Sequence, residues 1–362
     1  MPAEAPAITD IRPLVDCTLG DAVRQRASDV HVEPAADGYE IRFRIDGVLQ
    51  TAQKLDSAAG RAFVTRVMVM ARLLTYRLDV PQEGRLTAEV PELPAVELRL
   101  AVMPTIHGLR AAIRMPAEQV QAAVLDDLHL PKRVLDGLLK FAAADSGMLI
   151  LTGPAGSGKT TTIYALLRHI VNSRSGVSII ALEDPVERNL PGVTQIEVSP
   201  FGQLTYEKAL RSILRQDPQI LVLGEIRDSA TASLAVQAAL SGHRLITTLH
   251  AATAGGAIAR LIEMGIEPYQ ITSSLLAVVS QRLARRKNPD GGYRGRIPLA
   301  EYVEMDQPLR SAILKGGDSQ SWQRIYGEQG GYQSFGDVAK DVLRQGITDE
   351  AELDRVMGNI SA

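Results

Sequence analysis

The chain has 362 residues, 45% of them hydrophobic, 22% charged and 4% aromatic, with a net charge of −3. That length exceeds one ordinary core and predicts two or three domains. The composition excludes a disordered chain, no apolar run reaches the roughly 18 residues of a membrane helix, and the charge supplies no global attraction to nucleic acid.

The N-terminus, MPAEAPAITD, has neither a basic flank nor an apolar core, so it does not read as a signal peptide. Cys17 is the one cysteine, which rules out internal disulfides and a cysteine-built zinc cluster and points to the cytoplasm. Ile11–Arg26 has the spacing of an amphipathic helix. Glu40–Ile45 alternates apolar and charged residues, and Asp46-Gly47 signals a hairpin turn into Val48-Leu49. Arg61–Leu74 reads as a helix, and alternation returns over residues 96–102 and 110–115. Residues 1–116 therefore predict a small α+β domain with an antiparallel sheet, and 117–130 a linker or hinge. From there the strands become continuous apolar runs: Met148–Leu151, Val177–Leu182, Ile220–Leu223 and Leu245–Thr248. Alternating with helical segments, these predict an α/β domain over 131–362 with a buried parallel sheet. Its last part, about 256–362, reads as mostly helical.

Gly153–Thr160 reads GPAGSGKT, a G-x-x-x-x-G-K-[ST] loop placed between a strand and a helix. Gly153, Pro154, Ala155, Gly156, Ser157 and Gly158 supply a small-residue backbone that can wrap a polyphosphate. Lys159 brings charge to the β- and γ-phosphates, Thr160 a hydroxyl for Mg²⁺, and Thr161 continues the loop into the helix. The ligand is thus a nucleoside triphosphate. Phosphoryl transfer also needs acids at the carboxyl ends of neighbouring strands. Val177–Leu182 runs into Glu183-Asp184-Pro185-Val186-Glu187, and Ile220–Leu223 into Gly224-Glu225-Ile226-Arg227-Asp228. Gly224 stands where many such ATPases place an aspartate, leaving Glu225 as the acid for the metal. His250 ends a further strand, where a γ-phosphate sensor belongs, and Arg211 and Arg215 are spaced to share a helix face.

GPAGSGKT, ALEDPVE (Ala181–Glu187), LRSILRQDP (Leu210–Pro218), LVLGEIRD (Leu221–Asp228) and SGHRLITTLHA (Ser241–Ala251), in this order, resemble the type II secretion and type IV pilus ATPases. RASDVHVEP, IRFRIDGVL and VPQEGRL resemble the same family's second N-terminal domain, so the likeness spans nearly the whole chain. The resemblance implies a RecA-like ATPase domain behind a smaller PAS-like α+β domain, assembled as a homohexameric ring. ATP and Mg²⁺ would bind between the two domains. It implies Glu187 as general base, Glu225 as metal ligand, and His243 and His250 as a histidine box. Arg99 and Arg114, with Arg85 beside them, would reach the phosphates from the N-terminal domain. The motor would drive pseudopilus or pilus assembly and protein secretion, in the cytoplasm and peripheral at the inner membrane, against a platform protein. Retraction and DNA-uptake or conjugation motors are the alternatives, and no nucleic-acid partner is expected. Three features of the family are not found in this sequence: the long N-terminal extension, the tetracysteine zinc module (a short loop at Arg286–Tyr293 instead, so no zinc is expected), and the acid that often follows the glycine of GLRAAIRM.

Overall fold

A computed structural model of the protein describes residues 10–88, 96–115, 124–174, 176–198 and 204–358. The chain divides into two compact units, Met1–Val120 and Gln121–Ala362; part of the 117–130 segment lies outside the described residues, and Leu125–Leu128 forms a 3₁₀ turn.

The first unit runs α1 (Arg12–Arg24), β1 (Asp29–Ala35), β2 (Gly38–Ile45), β3 (Val48–Leu55), α2 (Ser57–Met70), β4 (Gln82–Ala88), β5 (Val96–Thr105) and β6 (Gly108–Arg114). Its strands form one antiparallel sheet in the order β3-β2-β1-β6-β5-β4. Asp46 and Gly47 both take positive φ, 48° and 84°, the two-residue turn whose twist suits a hairpin. Helix α2 starts before the expected Arg61 because Asp56 accepts from the backbone N–H groups of Ala58 and Ala59, a side-chain N-cap. One sheet face packs Val30, Val32, Ile41, Phe43, Leu100 and Ile113 with Val15, Leu19, Phe63 and Val67 of the helices. On the opposite face the register lines up Arg85, Arg99, Arg114, Asp29 and Arg44 across five strands. Strands β1 and β4 escaped the alternation signal: β1 carries Pro34 and β4 carries Gly84, both poor strand formers.

The second unit runs α3 (Lys132–Ala143), β7 (Gly147–Thr152), α4 (Lys159–Ser173), β8 (Ile179–Glu183), β9 (Thr194–Glu197), α5 (Tyr206–Ile213), β10 (Ile220–Leu223), α6 (Ser229–Leu240), β11 (Arg244–Leu249), α7 (Ala254–Glu263), α8 (Pro268–Ser274), β12 (Leu275–Lys287), β13 (Tyr293–Glu304), α9 (Gln307–Leu314), α10 (Ser319–Tyr326), α11 (Phe335–Arg344) and α12 (Glu350–Met357). The sheet order is β13-β12-β7-β11-β10-β8-β9, every neighbouring pair parallel except β12 and β13. All residues of β7, β8, β10 and β11 are buried. Along β7, Met148 and Ile150 enter a core with α6 and α7, while Leu149 and Leu151 enter another with α3 and α4. Helices on both faces explain the continuous apolar runs.

The stretch 256–362, expected to be mostly helical, holds most of α7 and all of α8 to α12, but also the two longest strands among the described residues, β12 and β13 with 13 and 12 residues. Leu, Ala, Gln and Arg in LLAVVSQRLARRK favour helix in isolation. Pairing with β7 on one side and β13 on the other overrides that preference.

Candidate nucleotide-binding site

The glycine loop leaves the carboxyl end of β7 and closes into the first turn of α4, with Gly158 as a left-handed N-cap. Gly153, Gly156 and Gly158 all hold positive φ. A Cβ at Gly153 would lie 2.2 Å from the backbone oxygen of Gln281, and one at Gly158 would lie 2.7 Å from its side-chain nitrogen. Gln281, on β12, is buried: its amide donates to Ser157 O at 2.8 Å and accepts from Thr162 Oγ1 at 2.9 Å. It therefore braces the loop from beneath. No spacing rule singles it out in the sequence.

Lys159 Nζ turns back onto its own loop, donating to Gly153 O and Pro154 O, both at 2.8 Å. Burial pushes its pKa down, and the charge of Glu225 acts the other way. Ser157 Oγ is buried and has no partner among the described residues. A buried cation satisfied only by carbonyls, beside an unpartnered hydroxyl at a helix N-terminus, fits a polyphosphate, which would supply both missing partners. Pro154, Ala155, Gly156, Thr160 and Thr161 are exposed around the same loop.

The strand ends bring two of the expected catalytic residues together. Glu225 follows β10 and His250 follows β11, and His250 Nε2 lies 3.0 Å from Glu225 Oε2. A carboxylate only accepts, so Nε2 carries the proton. The other oxygen of Glu225 accepts from Arg227, which lies 3.5 Å from Asp184. The glycine preceding Glu225 has a steric cause: a Cβ at Gly224 would lie 2.9 Å from the Tyr206 hydroxyl. Gly224 is pinned as well, its N–H donating to Leu182 O at 2.7 Å and its carbonyl accepting from Thr248 Oγ1 at 2.7 Å. Thr152, the last residue of β7, anchors the histidine loop by donating to Ala251 O at 2.6 Å.

Glu187 is exposed in the segment after β8. Glu183, at the strand end, is buried; it accepts from Tyr164 Oη and, at 2.9 Å, from Gln195 Nε2. Burial pushes the Glu183 pKa up, with Glu187 adding to the rise, while the Tyr164 and Gln195 hydrogen bonds oppose it. The two histidines stand at opposite ends of a strand, and the shared helix face expected of Arg211 and Arg215 is not formed. His243 precedes β11 and hydrogen-bonds Ala238 O through Nδ1 at 3.0 Å, so the six-residue strand separates it from His250 by about 20 Å. Arg215 lies beyond the end of α5, while Arg211 pairs with Glu207 at 2.9 Å. In the first unit, Arg99 and Arg114 are exposed, directly cross-strand neighbours, with Arg85 opposite Arg99 and 3.1 Å from Glu97.

A family model described as Type II/IV secretion system protein matches residues 5–355. The chain belongs to the Type II/IV secretion system protein family. It is 36% identical to the Type II secretion system protein HxcR of Pseudomonas aeruginosa, over 95% of this chain and 76% of that protein. It is 35% identical to the Type II secretion system ATPase E of Vibrio cholerae, over 95% of this chain and 74% of that one. Among solved structures, the Legionella pneumophila ATPase DotB superposes with a TM-score of 0.75 at 21% identity, covering 98% of this chain and 97% of that chain, which supports the fold. Membership in the Type II/IV secretion family makes the protein an ATPase. No helix among the described residues is long and apolar enough to cross a membrane.

Proposed function

We propose that the protein is a homohexameric motor that hydrolyses ATP to assemble a pseudopilus-type filament for protein secretion. It works in the cytoplasm, peripheral at the inner membrane and against a platform protein, without zinc and without a nucleic-acid partner. The Glu225–His250 pair beside a complete phosphate loop carries this reading, because a carboxylate oriented by a histidine on the next strand suits γ-phosphate chemistry. Thr160 and Glu225 would hold Mg²⁺, which supplies charge neutralisation on the phosphates. Glu183 has donors on both oxygens and anchors the strand end, whereas the exposed Glu187 takes the proton of the attacking water. Arg99 and Arg114 add guanidinium charge that stabilises the transferring phosphoryl group.

The reading is tested with the purified full chain and with a deletion in its host. Sizing at rising concentration with ATP should shift the chain toward a hexamer that hydrolyses ATP, and metal analysis should find no stoichiometric zinc. Deletion should stop release of an exoprotein substrate. A surplus of surface filaments after deletion would identify a retraction motor instead, and stimulation of turnover by DNA a nucleic-acid motor.

A further inference from the structure

We propose that the amino-terminal edge of the parallel sheet carries a second oxyanion site, built on Arg244 and Arg174, that takes a phosphate or carboxylate group. A cavity of about 360 Å³ opens there, lined by residues that precede or open the central strands, among them Val177, Gln219 and Arg244. The phosphate loop follows the other end of β7, so six residues of strand, about 20 Å, separate the two places.

Arg244 is 4% exposed. Its Nη1 donates to Ala142 O at 2.9 Å, and Arg174 Nη2 donates to Ala143 O at 3.0 Å. Both guanidiniums thus sit on consecutive carbonyls at the end of α3, a sound cap for a helix C-terminus. Capping does not complete the site. Carbonyls accept hydrogen bonds but leave two like charges side by side. Burial first, and the Arg174 charge second, push the Arg244 pKa down, with Asp145 opposing them. Asp145 and Asp217 line the same cavity, yet among the described residues neither forms an ion pair with either arginine. Arg244 Nε is buried and unpartnered among those residues. A buried donor without an acceptor costs about 1–3 kcal/mol, more on a charged group. An oxyanion seated in the cavity offsets the repulsion between the two cations, and a guanidinium presents parallel N–H groups to a pair of oxygens.

The test separates this site from the phosphate loop. Calorimetric titration of the full chain with pyrophosphate, the loop already saturated with ADP, should show one further site per chain. The same site should remain in Lys159→Ala. Arg244→Gln and Arg174→Gln should each weaken it by about tenfold or more while leaving ADP affinity unchanged, which also verifies folding. Arg244→Lys keeps the charge without the fork and should fall between. Repeating the titration with citrate distinguishes the sources: tighter pyrophosphate binding assigns phosphate, tighter citrate binding assigns carboxylate. Absence of a second site, or equal affinity in wild type and both glutamine variants, overturns the proposal.

Discussion

The antiparallel sheet of the first unit buries one face and leaves the other to water, whereas the parallel sheet of the second unit is buried on both. In the first, polar side chains spread across a whole face, and the register sets Arg85, Arg99, Arg114 and Arg44 in one row. In the second, helices cover both faces, so charged chemistry is confined to strand ends: the loop after β7, Glu225 after β10, His250 after β11. A face tolerates single changes because each side chain is solvated independently. A strand end does not, because its residues share donors, acceptors and backbone.

That contrast orders the expected effects. The largest belongs to the strand ends. Lys159→Ala should abolish ATP binding, since the phosphate charge goes unmatched, and Glu187→Gln should bind ATP normally while phosphate release collapses. Wild-type turnover in Glu187→Gln would move the base to another carboxylate of the site. Next come Arg99→Ala and Arg114→Ala, each expected to lower turnover by about 10³-fold if the two arginines act on the transition state. Arg44→Ala is the matched control: it lies in the same row, pairs with Asp29 at 3.2 Å on the surface, and should change stability by only about 0.5 kcal/mol, with turnover intact. Equal, small effects at all three positions would reduce the row to a solvated surface.

A smaller effect is expected beneath the loop. Gln281→Leu leaves Thr162 Oγ1 and Ser157 O without their buried partner and should cost about 1–3 kcal/mol in urea unfolding, together with weaker ATP binding. Unchanged unfolding would show that β12 does not brace the loop. The last effect is a shift in acid tolerance. Burial works against ionisation of Glu352, but hydrogen bonds from Arg355 and Arg285 outweigh it and hold the pKa at about 2, below the ordinary 4.5. The folded state therefore gains stability above the unfolded pKa and loses it as pH falls from about 4.5 toward 2. Glu352→Gln should flatten that part of an acid-unfolding curve followed by circular dichroism.

Legibility in the sequence followed the same division. The four apolar runs became β7, β8, β10 and β11 because double burial writes hydrophobicity into every position. Alternation likewise exposed β2, β5 and β6 of the half-buried sheet. The hairpin of β12 and β13 was illegible because its order comes from two flanking strands rather than from its own residues. Glu225 and His250 were readable from where strands end. Their direct contact was not, since it depends on two strands 20-odd residues apart being neighbours in the sheet. Gln281 and Arg244 were missed for a related reason: a polar residue within or opening an apolar strand reveals its partner only once the sheet is assembled. The two histidines of the SGHRLITTLHA segment were legible in the same way as strand ends, one before β11 and one after it.

The glycines of the phosphate loop answer to two different authorities. Gly156 has nothing within 4 Å of a hypothetical Cβ, so its replacement strains only the local backbone. At Gly153 the obstacle is the main chain of β12, a rigid neighbour that cannot rotate aside. An inactive Gly153 mutant recovered in a genetic screen would therefore report a displaced strand rather than a lost nucleotide contact. Because that obstacle is a main-chain oxygen and Gly153 also holds a φ of 143°, no side-chain change at Gln281 relieves it, and a substitution at Gly153 should fail in every background that keeps β12 in place.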